Sequence, residues 1–355
     1  MKLAIISTYP PQKCGVALMT QRLVESFNKL KVNLEVITLK GQNYKEKFVK
    51  PIIERSKLSS HLTAARYIKK NNFDTVLLEH DYALSNYVGL LILLAFLKFY
   101  RINIDIVFHT VVPPHSSLKQ IPFRLAHVLF AFLSRHNFVH TNGAKNKIGF
   151  LGSKVKVIPI AIPNIKKIKA KHNNSKKISL LSLGFITYDK GIDIACEALK
   201  NLDNVEVYIV GTLHPWAGKR QFAYFKKIEE YAAKYKNIHL INKFVSENEK
   251  SRYLLETDFI LLPYRLISQS AILTEVWAHE KIPICSDIKA FKEELGNDKY
   301  GILFRYNDNK DLRAKITHIS KNKNKQKTII RNIKQLKKQR NFDRIAQEYL
   351  TIWKK

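Results

Sequence analysis

The sequence predicts an α/β protein built from two doubly wound units, each a parallel sheet with helices on both faces. Three observations predict it. Short apolar runs of strand length alternate with helix-period patterns along the chain, as parallel sheets with crossover helices require. The alternation stops at a polar, basic stretch, Asn164 to Lys177, and then starts again. The length of 355 residues is that of about two domains.

The elements follow in order. Lys2–Ile6 is a buried-strand run, Val16, Met19, Leu23, Phe27 and Leu30 recur at helical spacing, and Leu34–Leu39 reads as the next strand. Further strands are predicted at Thr75–Leu78, Asp105–Phe108, Asn137–His140 and Val155–Ile158. After the break come Ser179–Leu183, Glu206–Val210, Ile238–Leu240, Phe259–Leu262 and Ile282–Ser286, with helices at Ile192–Leu199, Phe222–Tyr235, Glu247–Glu256 and Ala271–His279. The predicted organisation is a first domain over 1–163, a linker over 164–177 and a second domain over 178–339. A basic helical region closes the chain. Phe342, Ile345, Tyr349 and Trp353 share one face there, and 340–355 is expected to pack back on the first domain. Two such sheets imply ligands at the carboxyl ends of the strands and a cleft between the domains.

Composition narrows the classes. With 46% hydrophobic and 11% aromatic residues the chain buries a core and is not disordered. Its 61 Lys and Arg against 29 Asp and Glu give a net charge of +32. That favours anionic partners, while a lysine-rich solvated surface of compositional origin reads equally well. Cys14, Cys196 and Cys285 are too few and too scattered for a disulfide framework or a metal site. The start lacks a signal-peptide pattern, and the longest apolar run, Val88–Leu97, is too short to span a bilayer. The expected location is cytoplasmic, with contact at the cytoplasmic membrane face left open.

Four segments are candidates for chemistry. Pro263-Tyr264-Arg265 ends a strand, and Ser268-Gln269-Ser270-Ala271 leads into a helix whose first amides suit a phosphate; Glu275, one turn in, suits vicinal ribose hydroxyls. A capped helix with an ion-paired Glu reads as well from physics alone. Gly184-Phe185-Ile186-Thr187-Tyr188-Asp189-Lys190-Gly191 places Lys190 at a helix start, where a cation is disfavoured unless an anion binds it. Pro10-Pro11-Gln12-Lys13-Cys14-Gly15 is a strand–helix loop in which Gly15 admits close backbone approach; it lacks the GxGxxG of dinucleotide-binding folds. Finally, Glu79-His80-Asp81-Tyr82 and His109-Thr110 stand at successive strand ends, with no metal-binding spacing.

Together, in this order and over nearly the whole chain, these motifs resemble family 4 glycosyltransferases, which transfer a sugar from a nucleotide-diphosphate donor on the two-domain GT-B fold. The resemblance implies retention of anomeric configuration and no required metal or other cofactor. It assigns Glu275 to the donor ribose, Lys190 to the diphosphate, His109 to the transferred sugar and Gly15 to the phosphate end. Gly184, Ser268, Gln269, Ser270 and Ala271 line the donor, and Lys243-Phe244-Val245 borders the base. His109, Lys190 and Glu275 are thus the catalytic candidates, with His80, Asp81 and His109 on the acceptor and sugar side. The chain departs from the family pattern in three places. Phe185 stands where many members have Arg, with Arg265 or a lysine as candidate substitutes; Ile267 stands at the first acid of the E-x7-E pattern; and Asp81 follows His80 in place of Glu.

No carboxylate pair suited to a covalent sugar intermediate is evident. The resemblance instead implies front-face transfer of a hexose to a hydroxyl acceptor, glycan or lipid-linked, with the diphosphate charge stabilised by Lys190 and the helix start near Ser270. Val88–Tyr100 and Ile121–His136, with Arg124 and Arg135, are apolar helices edged with basic residues; they suit an anionic membrane surface, and buried helices have the same pattern. The alternative function is a non-catalytic basic protein on a GT-B-like scaffold, contacting nucleic acid or anionic membrane. No specific nucleic-acid motif supports it.

Overall fold

The computed structural model describes residues 1–12, 14–80, 86–111, 121–165, 176–214, 217–267 and 269–354, and of residues 121–124 and 153 the backbone only. The chain divides into two compact units, Met1–Ala161 with Phe342–Lys355, and Ile162–Asn341. Of the predicted linker, residues 166–175 lie outside the described residues.

In the first unit β1 (Lys2–Ile6), β2 (Asn33–Leu39), β3 (Val49–Ile53), β4 (Thr75–His80), β5 (Asn103–Phe108), β6 (His136–Val139) and β7 (Val155–Val157) form a parallel sheet in the order β3-β2-β1-β4-β5-β6-β7. Ile6 pairs with Ile37 on one side and Leu78 on the other. The order reverses between β1 and β4, and ligands of open α/β sheets collect at such a switch point. On one face α2 (Leu58–Lys70), α3 (Tyr87–Phe99) and α4 (Ile121–Leu133) share a core. On the other, α1 (Gly15–Lys29) packs with the C-terminal helix α13 (Phe342–Trp353). Phe27 stacks on Trp353 at 5.8 Å, Phe138 meets Tyr349 edge-on at 4.8 Å, and Ser26 donates to Asp343 at 2.6 Å. The apolar stripe Phe342–Ile345–Tyr349 is therefore core packing.

The second unit repeats the plan with β8 (Ile178–Leu183), β9 (Val205–Gly211), β10 (Ile238–Asn242), β11 (Phe259–Leu262), β12 (Ile282–Ser286) and β13 (Ile302–Phe304), ordered β10-β9-β8-β11-β12-β13, all parallel. Its switch point lies between β8 and β11. The helix α5 (Asn142–Lys147) belongs to the first unit; among the described residues α6 (Ile192–Leu199), α7 (Lys219–Lys234), α8 (Glu247–Glu256), α9 (Ala271–Ala278), α10 (Lys289–Leu295), α11 (Asn309–Lys321) and α12 (Lys323–Gln339) belong to the second. These two Rossmann-like units constitute a GT-B-type fold.

Two strands escape the periodicity reading, and both are sheet edges. β3 contains Pro51, which an edge tolerates because it has a neighbour on one side only. β13 is three residues long and too short to show a pattern.

Candidate active site

In the second unit Gly184, Lys190 and Ser270 come to the β8–β11 switch point with Glu275 one helical turn on, whereas Lys243, Phe244 and Val245 follow the edge strand β10. β8 exits through Gly184, and the chain turns through Tyr188–Lys190 into α6. β11 exits through Pro263, and Ser270 caps α9 by accepting from the Leu273 amide at 3.2 Å. The two exits interlock. Gly191 sits at φ +61°, and a Cβ there would lie 2.0 Å from the Pro263 carbonyl oxygen, so glycine alone fits. Gly184 faces Ile272 of α9, 3.9 Å from where its own Cβ would stand. Lys190 rests its ammonium 4.0 Å over the Tyr264 ring, a cation–π contact that orients the amine without neutralising its charge.

Glu275 lies one turn into α9, buried, with Lys250 of α8 at 3.6 Å from Oε1. Lys250 holds Glu247 more closely, at 2.6 Å. Gln269 and Ala271 flank the Ser270 cap, and Ser268 lies outside the described residues. The segment thus presents a capped helix start and a buried carboxylate on one short helix.

Beyond β10, Lys243 is exposed and its amine is held by Glu249 at 2.6 Å, which raises its pKa; Glu249 also completes the Ser246 capping box of α8. Phe244 is exposed and Val245 half-buried. Phe185 leans on His214 at 4.8 Å and faces Phe244 at 6.4 Å. An aromatic edge therefore stands where the family pattern has a guanidinium. Arg265 does not replace that cation. Its fork binds both oxygens of Asp193, at 2.7 and 2.8 Å, and donates to the Tyr188 carbonyl at 2.9 Å. Burial pushes the Asp193 carboxyl up, but hydrogen bonds from Arg265, Lys227 and Tyr224 outweigh it and hold Asp193 below its usual range. Arg265 is a brace between the β11 exit and α6.

In the first unit Gly15 opens α1, with no atom within 4 Å of where a Cβ would stand. Cys14 caps this helix, its Sγ accepting from the Ala17 amide at 3.3 Å. His109 follows β5, and its Nε2 donates to Glu79 Oε2 at 2.7 Å, both side chains being buried. His140, after β6, lies with its ring 5.1 Å from His109 and its Nδ1 2.7 Å from the Ile158 carbonyl oxygen. Tyr349 reaches the same place from α13, and with Glu79, His109 and His140 it lines a cavity of about 30 Å³.

His80 requires a correction. Its side chain does not share the His109 pocket, although the His109 amide donates to the His80 carbonyl at 3.3 Å. Successive residues of a strand face opposite ways, so Glu79 takes the His109 side and His80 turns into the core under α3 and α4. There its Nε2 meets His127 Nε2 at 2.9 Å, edge-on to Phe108 and Phe130. Burial, then the neighbouring His127 and His109, push its pKa well below the ordinary imidazole value. His80 is a core residue. Glu79 and His140 are the residues that sequence reading did not select. Strand alternation would have separated Glu79 from His80, and His140 ends the next strand, like His109. Asp81 lies outside the described residues. Among the described residues no cluster of three or more His, Cys, Asp or Glu side chains forms a metal site.

Residues 164–336 match the family model for glycosyl transferases group 1. The match spans the β8–β11 switch point and all of its candidate residues, and it supports a glycosyltransferase. No curated protein matches the chain in sequence. Solved structures share the fold over its whole length. HepE of Anabaena in complex with UDP superposes with a TM-score of 0.77 at 12% identity, covering 100% of both chains. Sucrose-phosphate synthase of Thermosynechococcus elongatus gives 0.76 at 11%, covering 100% of this chain and 98% of that one. A glycosyltransferase of Rickettsia africae gives 0.74 at 17%, covering 99% and 97%.

Proposed function

We propose that the protein is a retaining glycosyltransferase that moves a hexose from a nucleotide-diphosphate sugar to a hydroxyl acceptor. One observation carries the reading: the β8 and β11 exits interlock at the switch point, so that Lys190, Gly184, the Ser270-capped start of α9 and Glu275 share one neighbourhood. Phosphate at the α9 start meets amides left unpaired by the helix and the positive end of its dipole. Lys190 adds a full charge, and Glu275 accepts from the ribose hydroxyls. With Phe185 in place of a guanidinium and Arg265 committed to Asp193, Lys190 carries the cationic part of diphosphate binding. The family match over residues 164–336 supports the same assignment.

In the proposed reaction the bond from the anomeric carbon to the diphosphate oxygen breaks, and the acceptor oxygen bonds to that carbon on the same face. The acceptor proton passes to the departing diphosphate oxygen. No step calls for a metal ion. Charge growing on the diphosphate is stabilised by donors already in place, each worth about 10²–10³ in rate. His109, oriented by Glu79, is the proposed contact to the transferred sugar.

The test is a melting-temperature series against nucleotide sugars, with UDP-glucose first because UDP is the ligand of the HepE structure. A donor raises the melting temperature progressively above its dissociation constant, by about 2.7 kcal/mol of stability at a hundredfold excess. A panel that leaves the temperature unchanged throughout refutes the donor assignment.

A further inference from the structure

The outer faces of α3 and α4 are apolar. Along α3 the residues Val88, Ile92, Ala95 and Phe99 recur at i, i+4, i+7 and i+11, and along α4 Leu125, Leu129 and Phe132 recur at i, i+4 and i+7. The opposite faces, Leu90, Leu93, Leu94 and Leu97 on α3 and Ala126, Phe130 and Ala131 on α4, are buried in the unit's core. Val88, Phe99, Leu125, Leu129 and Phe132 are each between 48% and 78% exposed. Singly exposed apolar residues are ordinary, but two aligned stripes on neighbouring helices are a surface that seeks a partner. The helical pattern alone left buried and membrane-facing helices indistinguishable; the structure separates an inner from an outer face.

Charge identifies the partner. Across residues 86–165 Asp105 is the one acid in the sequence. It is fully buried and held by Arg135 at 2.7 Å and His136 at 3.0 Å. Lys98 and Arg101, at the end of α3, are exposed, as are Lys145, Lys147, Lys154 and Lys156 farther on; none of the six makes an ion pair among the described residues. The helix α2, which packs on α3, has no acid either. Leu and Phe stripes with Lys98 and Arg101 at the end of α3, on a segment whose one acid is buried, match the interfacial region of an anionic bilayer, where apolar side chains enter the acyl boundary and cations meet the headgroups.

We infer that α3 and α4 form a docking face for anionic lipid bilayers. The inner side of α4 touches the strand ends: its His127 meets His80, one residue from the Glu79 that holds His109. The face therefore makes a lipid-linked hydroxyl compound the acceptor class, and that consequence rests on the glycosyltransferase reading above.

The experiment is co-sedimentation of the full chain with vesicles of mixed phosphatidylglycerol and phosphatidylcholine, beside vesicles of phosphatidylcholine alone. The chain is expected to pellet with the anionic vesicles, weakly with the neutral ones, and less as salt rises. Leu125→Asp with Leu129→Asp lowers partitioning at least about tenfold, and Val88→Ser with Phe99→Ser on α3 lowers it in the same direction. The α3 pair keeps the test decisive if the α4 pair fails to fold. Native chain that stays in the supernatant with anionic vesicles overturns the inference, as does equal pelleting of folded variants. Self-association abolished by the same substitutions, without vesicle binding, overturns it in favour of a second copy of the chain. A UDP-glucose melting shift recorded on the same samples keeps a failure here distinct from a failure of the donor assignment.

Discussion

Replacing Gly191 with alanine adds one methyl group where the β8 and β11 exits meet. At φ +61° an alanine costs about 1–2 kcal/mol relative to glycine. Its Cβ would stand 2.0 Å from the Pro263 carbonyl oxygen, whereas carbon–oxygen contact needs roughly 3.3 Å, so one exit must shift by about 1 Å or more. The opposing atom is backbone, and no rotamer change relieves it. Overpacking that moves backbone typically costs roughly 1–3 kcal/mol. Together these give about 2–5 kcal/mol, and a unit of this size loses roughly 2–4 °C per kcal/mol, so a fall of roughly 4–20 °C is expected. The shift also displaces Lys190, the neighbouring residue, so the nucleotide-sugar melting shift is lost with it. The assay is thermal unfolding with and without donor. Gly218→Ala is the control: nothing lies within 4 Å of its Cβ, and its melting temperature stays within about 2 °C of native. A Gly191→Ala chain that melts like the control and still responds to donor would show that the two exits do not form one rigid site.

Three further predictions follow from the same geometry. Lys190→Met and Glu275→Gln each lower transfer about 10²–10³-fold while the folded far-UV spectrum persists; turnover within a factor of two of native for both, in an initial-rate assay, removes them from the site. Arg265→Met, in contrast, acts on the fold, because it removes two hydrogen bonds from buried Asp193; a loss of about 1–3 kcal/mol is expected in urea unfolding, and an unchanged midpoint contradicts the bracing role. The third concerns pH. Burial lowers His127 from 6.5 to about 4 and drives His80 in the same direction. In that window the unfolded chain binds protons that the folded chain excludes, so this stability is present above about 6.5 and is lost as pH falls toward 4, by up to about 3 kcal/mol for His127. Urea midpoints should decline across this range, more gently in His127→Leu, and a flat profile down to pH 5 contradicts it.

The order of elements, the double winding and the loops that carry chemistry were legible in the amino-acid pattern. β1, β2, β4 to β12 and α9 stand where apolar runs and turn chemistry put them, because a buried parallel strand must be apolar on both faces and a helix start must cap its amides. Lys190, Ser270 and Glu275 were legible as candidates for the same reason: they sit at strand ends and helix starts. Which side each neighbour faces, and who partners whom, emerged only once the layers packed. The period of two separates Glu79 from His80 but does not say which of them meets His109; the packing of α3 and α4 over one sheet face does. Arg265 reads as a free cation until α6 brings Asp193 to it from seventy-two positions away. The stripes of α3 and α4 read as core or as surface until the sheet claims one side of each helix and leaves the other to solvent. Local pattern encodes which residues avoid water; only the assembled layers determine how much of that demand is met.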